Sequence, residues 1–240
     1  MSNYFRFGNH SSRDFDMHIE KIPAIKGATR KRTTASVAGR NGDLHYDEDA
    51  YTNYKQPYEC YFHGDVPTPE QAHAIKAWLS GSGEYLKLED TYDPKYYRMA
   101  TFAGPLDVNN YLNKYGRCIV NFDCAPQCFL KSGDFPVTFW QHGMLFNPTS
   151  QKALPIITVY GTGSGSVTIG MCTVTIKGID GNMILDCEIE DAYKIVNGAL
   201  SNENGNIHAP DFPKLLPGEN TVSFAGDITK IEIVPRWWEL

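Results

Sequence analysis

Residues 172–190, CTVTIKGIDGNMILDCEIE, constrain the fold more than any other stretch of this chain. Apolar and polar residues alternate on both sides of Asp180-Gly181, and such alternation marks strands with one buried face. Asp-Gly is itself a favoured pair for a two-residue hairpin turn. A turn there sets Ile179 opposite Asn182, and that register fixes the rest. Cys172 falls opposite Ile189, Val174 opposite Cys187 and Ile176 opposite Leu185, all on one face; Thr173 opposes Glu188 and Thr175 opposes Asp186 on the other. The stretch therefore predicts an antiparallel hairpin with an apolar core face.

Much of the remaining chain carries the same signature. Aromatic residues make up 12% of 240, and Tyr, Phe and Gly are abundant, a balance that favours strands and turns over long helices. YLKLED, YRMATFAG and RCIVNFDC read as strands in the first half, and LPIITVY and SVTIG as two strands joined by a turn at GTGSG, 161–165. In LPGENTVSF the Pro217-Gly218 turn launches a strand with Val222 and Phe224 inward, and Ile231 and Ile233 face inward on the strand that follows. A single helix is predicted in VPTPEQAHAIKAWLSGSG. Thr68 suits its cap, Pro69 its first position, and Gln71 a capping box with Thr68; Ala72, Ile75, Trp78 and Leu79 form an apolar stripe, with His73 off it. A chain of this length holds one large β domain or two modest ones. The two prolines and Ser-Gly pair of 125–136 mark a linker, so two domains are expected, 1–130 and 131–240.

The net charge of -6 argues against wholesale binding to phosphate backbones. The opening MSNYFRFGNHSSRDF lacks the basic end and apolar run of a secretory signal, and no apolar run approaches the roughly 18 residues a membrane span needs. The expectation is a soluble protein made and assembled in the cytoplasm, with no membrane insertion. Of six cysteines without a Cys-x-x-Cys pair, most are then expected to be reduced core thiols. Cys118, Cys124 and Cys128 are close enough in sequence to suggest a metal site, but Cys118, Val120, Phe122 and Cys124 alternate as the buried face of one strand, and no metal or cofactor is expected.

Two other stretches invite a chemical reading. Asp186, Glu188 and Glu190 sit at strand spacing, roughly 6.5 to 7 Å apart, as the carboxylates of a jelly-roll glycoside hydrolase do. The simpler reading is a solvated outer face opposed by threonines, and no enzyme is expected. ATRKRTTASVAGRNGDL, 28–44, carries Arg30, Lys31, Arg32 and Arg40 as either a phosphate-binding patch or the solvated face of a long hairpin. Without interleaved aromatics the hairpin reading is preferred, with a tight turn at Asn41-Gly42.

The order of several motifs resembles one family across essentially the whole chain. FGNHSSRDFDM, VAGRNGDLHYDEDAYTNY, the helix segment AHAIKAWLSGSGEYLKLEDTYDPKYYRMA and IVNFDCAPQCF are followed by ILDCEIEDAY, FPKLLPGENTVSF and IEIVPRWWEL. This succession resembles the distal tail (Dit) proteins of long-tailed, non-contractile bacteriophages. The resemblance implies a mainly β protein: a tail-tube-like ring-forming domain with one helix, then a galectin-like β-sandwich. It implies a homohexameric ring at the distal end of the tail tube of the virion, assembled in the host bacterial cytoplasm. The ring would join the tube protein to tail-associated adhesion proteins, and DNA would meet it only in transit through its channel. On that reading the segment bearing Arg30, Lys31, Arg32, Arg40, Asn41 and Asp43 clasps the neighbouring subunit. Arg236, Trp237 and Trp238 form either a lid on the outer domain's core or a contact with another subunit. The galectin sugar motif His-x-Asn-x-Arg is absent, since His208 is followed by Ala209, Pro210 and Asp211. The alternative function is a carbohydrate-binding receptor-recognition module of a tail or cell-surface assembly.

Overall fold

The computed structural model describes residues 3–63, 68–111 and 114–240, and it divides into two compact units between Cys128 and Phe129. The first unit contains β1 (Phe5–Phe7), β2 (His10–Ser11), β3 (Met17–Ile19), β4 (Arg30–Ala35), β5 (Leu44–Tyr51), β6 (Tyr54–His63), the helix α1 (Thr68–Leu79), β7 (Leu86–Asp90), β8 (Tyr96–Phe102), β9 (Val108–Tyr111) and most of β10 (Tyr115–Leu130). Its main sheet runs β2-β1-β7-β8-β10-β6-β3, with β9 also paired to β10. Among the described residues no helix is long and apolar enough to cross a membrane.

The helix forms where its periodicity predicts. Ile75 and Leu79 are fully buried, Ala72 and Trp78 pack beside them, and His73 is exposed. Each of the two fully buried side chains contributes about 1.5–3 kcal/mol by leaving water. Trp78 stacks on Phe15 at 4.7 Å and donates its indole N–H to the Phe7 carbonyl, which fixes the helix on the sheet. The Gln71 side chain is buried and donates to the Phe15 carbonyl at 2.6 Å, while the cap expected at Thr68 adjoins residues 64–67, outside the described ones. A buried amide must find a partner, and the Phe15 carbonyl supplies one. Under the helix, Phe5, Tyr58, Phe7 and Phe122 form an aromatic core with ring centroids 4.9–6.0 Å apart between neighbours. Cys118, Val120, Phe122 and Cys124 line its floor on one face of β10, as their alternation requires. Six residues of strand hold Cys118 and Cys124 about 20 Å apart, too far to share a metal ion.

The second unit contains β11 (Val137–Phe139), β12 (Gly143–Asn147), β13 (Ile156–Ile169), β14 (Cys172–Asp186), β15 (Asp191–Val196), β16 (Ala199–Asn202), β17 (Ile207–His208), β18 (Gly218–Val234) and β19 (Trp238–Glu239). The predicted hairpin at Asp180-Gly181 does not form. Residues 172–186 are one continuous strand, and its partner is β13, with Ile169 opposite Cys172, Val167 opposite Val174, Val159 opposite Met183 and Ile157 opposite Leu185. The reversal lies at Gly170-Met171, where Gly170 supplies the positive φ of 58° at the first position of the two-residue loop. GTGSG is likewise no turn, because β13 runs through it. Nor do Ile231 and Ile233 lie on a separate strand, since β18 carries them together with Val222.

One mechanism explains all three differences. β14, β13 and β18 are long strands that lose register at neighbouring places, between Gly163 and Gly165 and between Tyr160 and Gly161. A bulge inserts one extra residue and so exchanges inward for outward faces, which is why burial moves from Val174 and Ile176 to Ile179, Met183 and Leu185. The backbones meet closely at this crease. A β-carbon on Gly161 would stand 2.3 Å from the Asp227 carbonyl oxygen, and one on Gly226, at φ +80°, 2.4 Å from that of Ser164. Bending there folds one sheet over itself, so that Val167, Ile169, Val174 and Val222 from one half share a core with Ile157, Val159, Leu185, Ile231 and Ile233 from the other.

The expected linker also differs. β10 continues through Pro126 to Leu130, and a 3-10 turn follows at Lys131–Asp134. Gly133 in that turn provides close approach and not flexibility, since a β-carbon would meet the Trp237 amide nitrogen at 2.4 Å.

Candidate functional site

From Lys21 to Asp49 the chain contains no buried residue. Among the described residues β4 and β5 pair only with each other in a two-stranded sheet, with Arg32 opposite Asp47, Thr33 opposite Tyr46 and Ala35 opposite Leu44. Every residue of β4 is exposed. Threonines and opposed charges suit a solvated ladder, but a two-stranded ribbon with no core is marginal in water without something to pack on.

Electrostatics give this arm its shape. Arg30 Nε lies 2.6 Å from Asp47, its Nη2 lies 3.4 Å from Asp49, and its guanidinium stands over the Tyr51 ring at 5.6 Å. The hydrogen bond to Asp47 raises the Arg30 pKa, and the same bond, with one from the Asp49 amide, lowers that of Asp47. Thr33 donates to Glu48 at 2.8 Å. Positive charge lies along β4 at Arg30, Lys31 and Arg32, and negative charge along β5 at Asp47, Glu48 and Asp49. Arg40, Asn41 and Asp43 occupy the wide connection between the strands, where Gly39 and Gly42 have φ near +80°. Asn41-Gly42 thus belongs to an eight-residue loop and not to a two-residue turn.

The polar run made this arm legible, but its approach was missed. Ile22 and Ile25 are 76% and 89% exposed in the segment that leads into β4, which Gln56 holds to β6 through the Ala24 carbonyl. No periodicity marks them, and apolar residues in an irregular segment carry no signal that tells a core from a surface.

The other candidate residues gather at the end of the chain in the second unit. Arg236 adopts a left-handed φ of 56° and places Nη1 and Nη2 2.8 and 3.2 Å from the two oxygens of Asp186, with Glu188 3.1 Å from Nη1. Trp237 is buried in the second core, and Trp238 packs against that core and donates its indole N–H to the Lys152 carbonyl at 2.9 Å. Both tryptophans therefore cover their own unit. The acidic ladder is not a ladder: Asp186 ends β14 and is buried, while Glu188 and Glu190 lie in the following turn, Glu190 at φ 54°. They share no strand face, and Asp186 and Glu188 are both held by the Arg236 guanidinium. All six cysteines are free.

No family model matches the sequence, and no curated protein is similar to it at the sequence level. The fold, two β units with one helix in the first among the described residues, is similar to that of solved phage tail proteins. The crystal structure of the Dit protein of phage SPP1, described as a paradigm of the hub adsorption apparatus in phages infecting Gram-positive hosts, matches with a TM-score of 0.73 at 11% identity over 100% of both chains. A chain of the phage P2 baseplate in its activated conformation with calcium matches at 0.54 and 9% identity over 97% of this chain and 98% of that one. The strontium form of that baseplate gives 0.55 and 8% over the same shares.

Proposed function

We propose that this protein is the distal tail hub of a long-tailed phage. Six copies form a ring at the end of the tail tube of the virion, join the tube to the adhesion proteins and leave a channel through which DNA passes. The arm is the observation that carries this reading. A chain with two complete cores has no need of a 29-residue excursion that buries nothing, unless a second copy covers it. Charges of opposite sign on β4 and β5 suit a repeated contact in which each subunit presents the same arm to its neighbour. An acidic chain in the channel wall would let DNA slide without adhering. No catalysis is included, because Arg236 occupies Asp186 and Glu188. Domains 1–130 and 131–240 carry the ring and the outward docking surface respectively.

Light scattering with negative-stain imaging tests the assembly. A homohexamer of the 26.9 kDa chain has a mass of about 161 kDa, seen as rings with a central hole. Monomers at every concentration, alone and with the tube protein present, would overturn the ring.

A further inference from the structure

The outer face of the second unit's sheet carries a constellation that neither the hub reading nor the sequence motifs absorb. Trp140 is 70% exposed there, while Trp237 is 5% exposed and Trp78 and Trp238 have their indole N–H groups bonded to backbone carbonyls. β11 places Phe139 inward against the core opposite Ile231, so the next residue, Trp140, points outward. Lys230 ties it to a second ring: its Nζ lies 5.3 Å from the Trp140 centroid and 4.1 Å from that of Tyr160. Lys230 also donates to Glu232 at 2.8 Å, and Tyr160 donates its hydroxyl to the other Glu232 oxygen at 2.9 Å. Thr158 pairs with Glu232, and Asn182 with Tyr160, across neighbouring strands of the same face.

We propose that this face binds a neutral pyranoside sugar. A pyranose presents an apolar C–H face and a rim of hydroxyls, and it needs an aromatic plate with planar polar groups beside it. Trp140 supplies the plate. Glu232 retains lone pairs to accept from vicinal hydroxyls, and the Asn182 amide and Lys230 lie on the same surface as donors. Lys230 and Glu232 cancel one another's charge, which selects an uncharged ligand over a phosphate-bearing polymer. The bonds of Lys230 and Tyr160 to Glu232 also hold the carboxylate charged below the usual range, so it stays an acceptor under mildly acidic conditions. These residues are preorganised by three adjacent strands, so little ordering accompanies binding. The constellation shares no residue pattern with His-x-Asn-x-Arg, and it is independent of whether the chain forms a ring.

The full-length protein titrated with lactose, cellotetraose and chitotetraose tests the site through acrylamide quenching of tryptophan fluorescence, which reports chiefly the exposed Trp140. Saturable shielding of the unaltered protein by at least one of the three is expected, and isothermal titration calorimetry, which needs no fluorophore, should give an affinity at least ten-fold weaker in Trp140→Ala and several-fold weaker in Glu232→Gln. Both side chains lie outside the core, and circular dichroism of each variant checks that it is folded. No shielding of the unaltered protein by any of the three up to tens of millimolar, or a calorimetric affinity unchanged in Trp140→Ala, overturns the proposal. Shielding produced only by an added tail protein would assign the face to protein docking and overturn it equally.

Discussion

Arg236 grips Asp186 with both terminal nitrogens, at 2.8 and 3.2 Å, across 50 residues of sequence. The pair joins the end of β14 to the segment that carries Trp237 and Trp238, and Asp186 is buried beneath it. A bidentate guanidinium is the geometry that best compensates a carboxylate withdrawn from water.

Arg236→Ala is therefore expected to destabilise the second unit by about 1.5–3 kcal/mol, the range for hydrogen bonds to a charged group. Much of that reflects Asp186 left buried without a counter-charge. Asp186→Asn in the same background should recover part of the loss. Urea denaturation measures both, and equal stabilities for the single and double variants would show that Asp186 does not depend on Arg236.

The crease in the second unit makes a sharper demand. Gly226 combines a positive φ with a backbone oxygen 2.4 Å from the position of any β-carbon. Gly226→Ala is expected to cost at least about 2 kcal/mol, more than propensity alone explains. Gly181→Ala has a φ of +80° but no atom within 4 Å, and should cost about 1 kcal/mol. Thermal melts that rank the two variants the other way would contradict the crease.

Those glycines also show where the sequence was legible. Alternation identified part of the buried face of 172–187: Val174, Ile176, Leu185 and Cys187 are in the core, but Cys172 is only partly buried, and Ile179 and Asp186, expected on the other face, are buried. Ile189 is not, being 63% exposed, because its place depended on the turn. A two-residue turn and a one-residue bulge both reverse the parity of a strand; here the reversal lies between Ile176 and Ile179, before Asp180-Gly181, and only the partner strand, 169–156 in reverse, decides it. Helix periodicity had no such ambiguity, and Ile75 and Leu79 fell where expected. Of the candidate site, the charges of the arm were legible as a polar run. The outward Trp140 was not, because its partners Tyr160 and Lys230 are 20 and 90 positions away.

The buried thiols predict a pH dependence. Burial pushes Cys118 and Cys124 up to about 12 from an ordinary value near 9. Above pH 9 the unfolded chain releases protons that the folded chain retains, so these groups favour folding fully below pH 9 and progressively less as pH rises toward 12. Melting temperature should fall over that window, and substituting both cysteines by alanine should flatten the fall while lowering stability at neutral pH. At neutral pH iodoacetamide should label at most Cys128 and Cys172, the two partly exposed thiols, and all six in denaturant. Mass spectrometry showing rapid native labelling of Cys118 or Cys124 would contradict the burial.

The arm offers the most direct test of assembly, because stability and association separate there. Residues 31–40 contribute nothing to either core, so replacing them with a short Gly-Ser link should leave the melting temperature of the isolated chain unchanged. The same change removes Lys31 and Arg32 from β4 and the loop with Arg40, and with them the surface proposed to meet a neighbour. Folded monomers in place of rings are expected by light scattering. Charge reversal at Arg30 and Arg32 should weaken rings more at low salt than at high salt, since exposed charges are screened. Rings that persist after the deletion would show that subunits meet elsewhere, and the exposed Ile22 and Ile25 would be the next residues to replace.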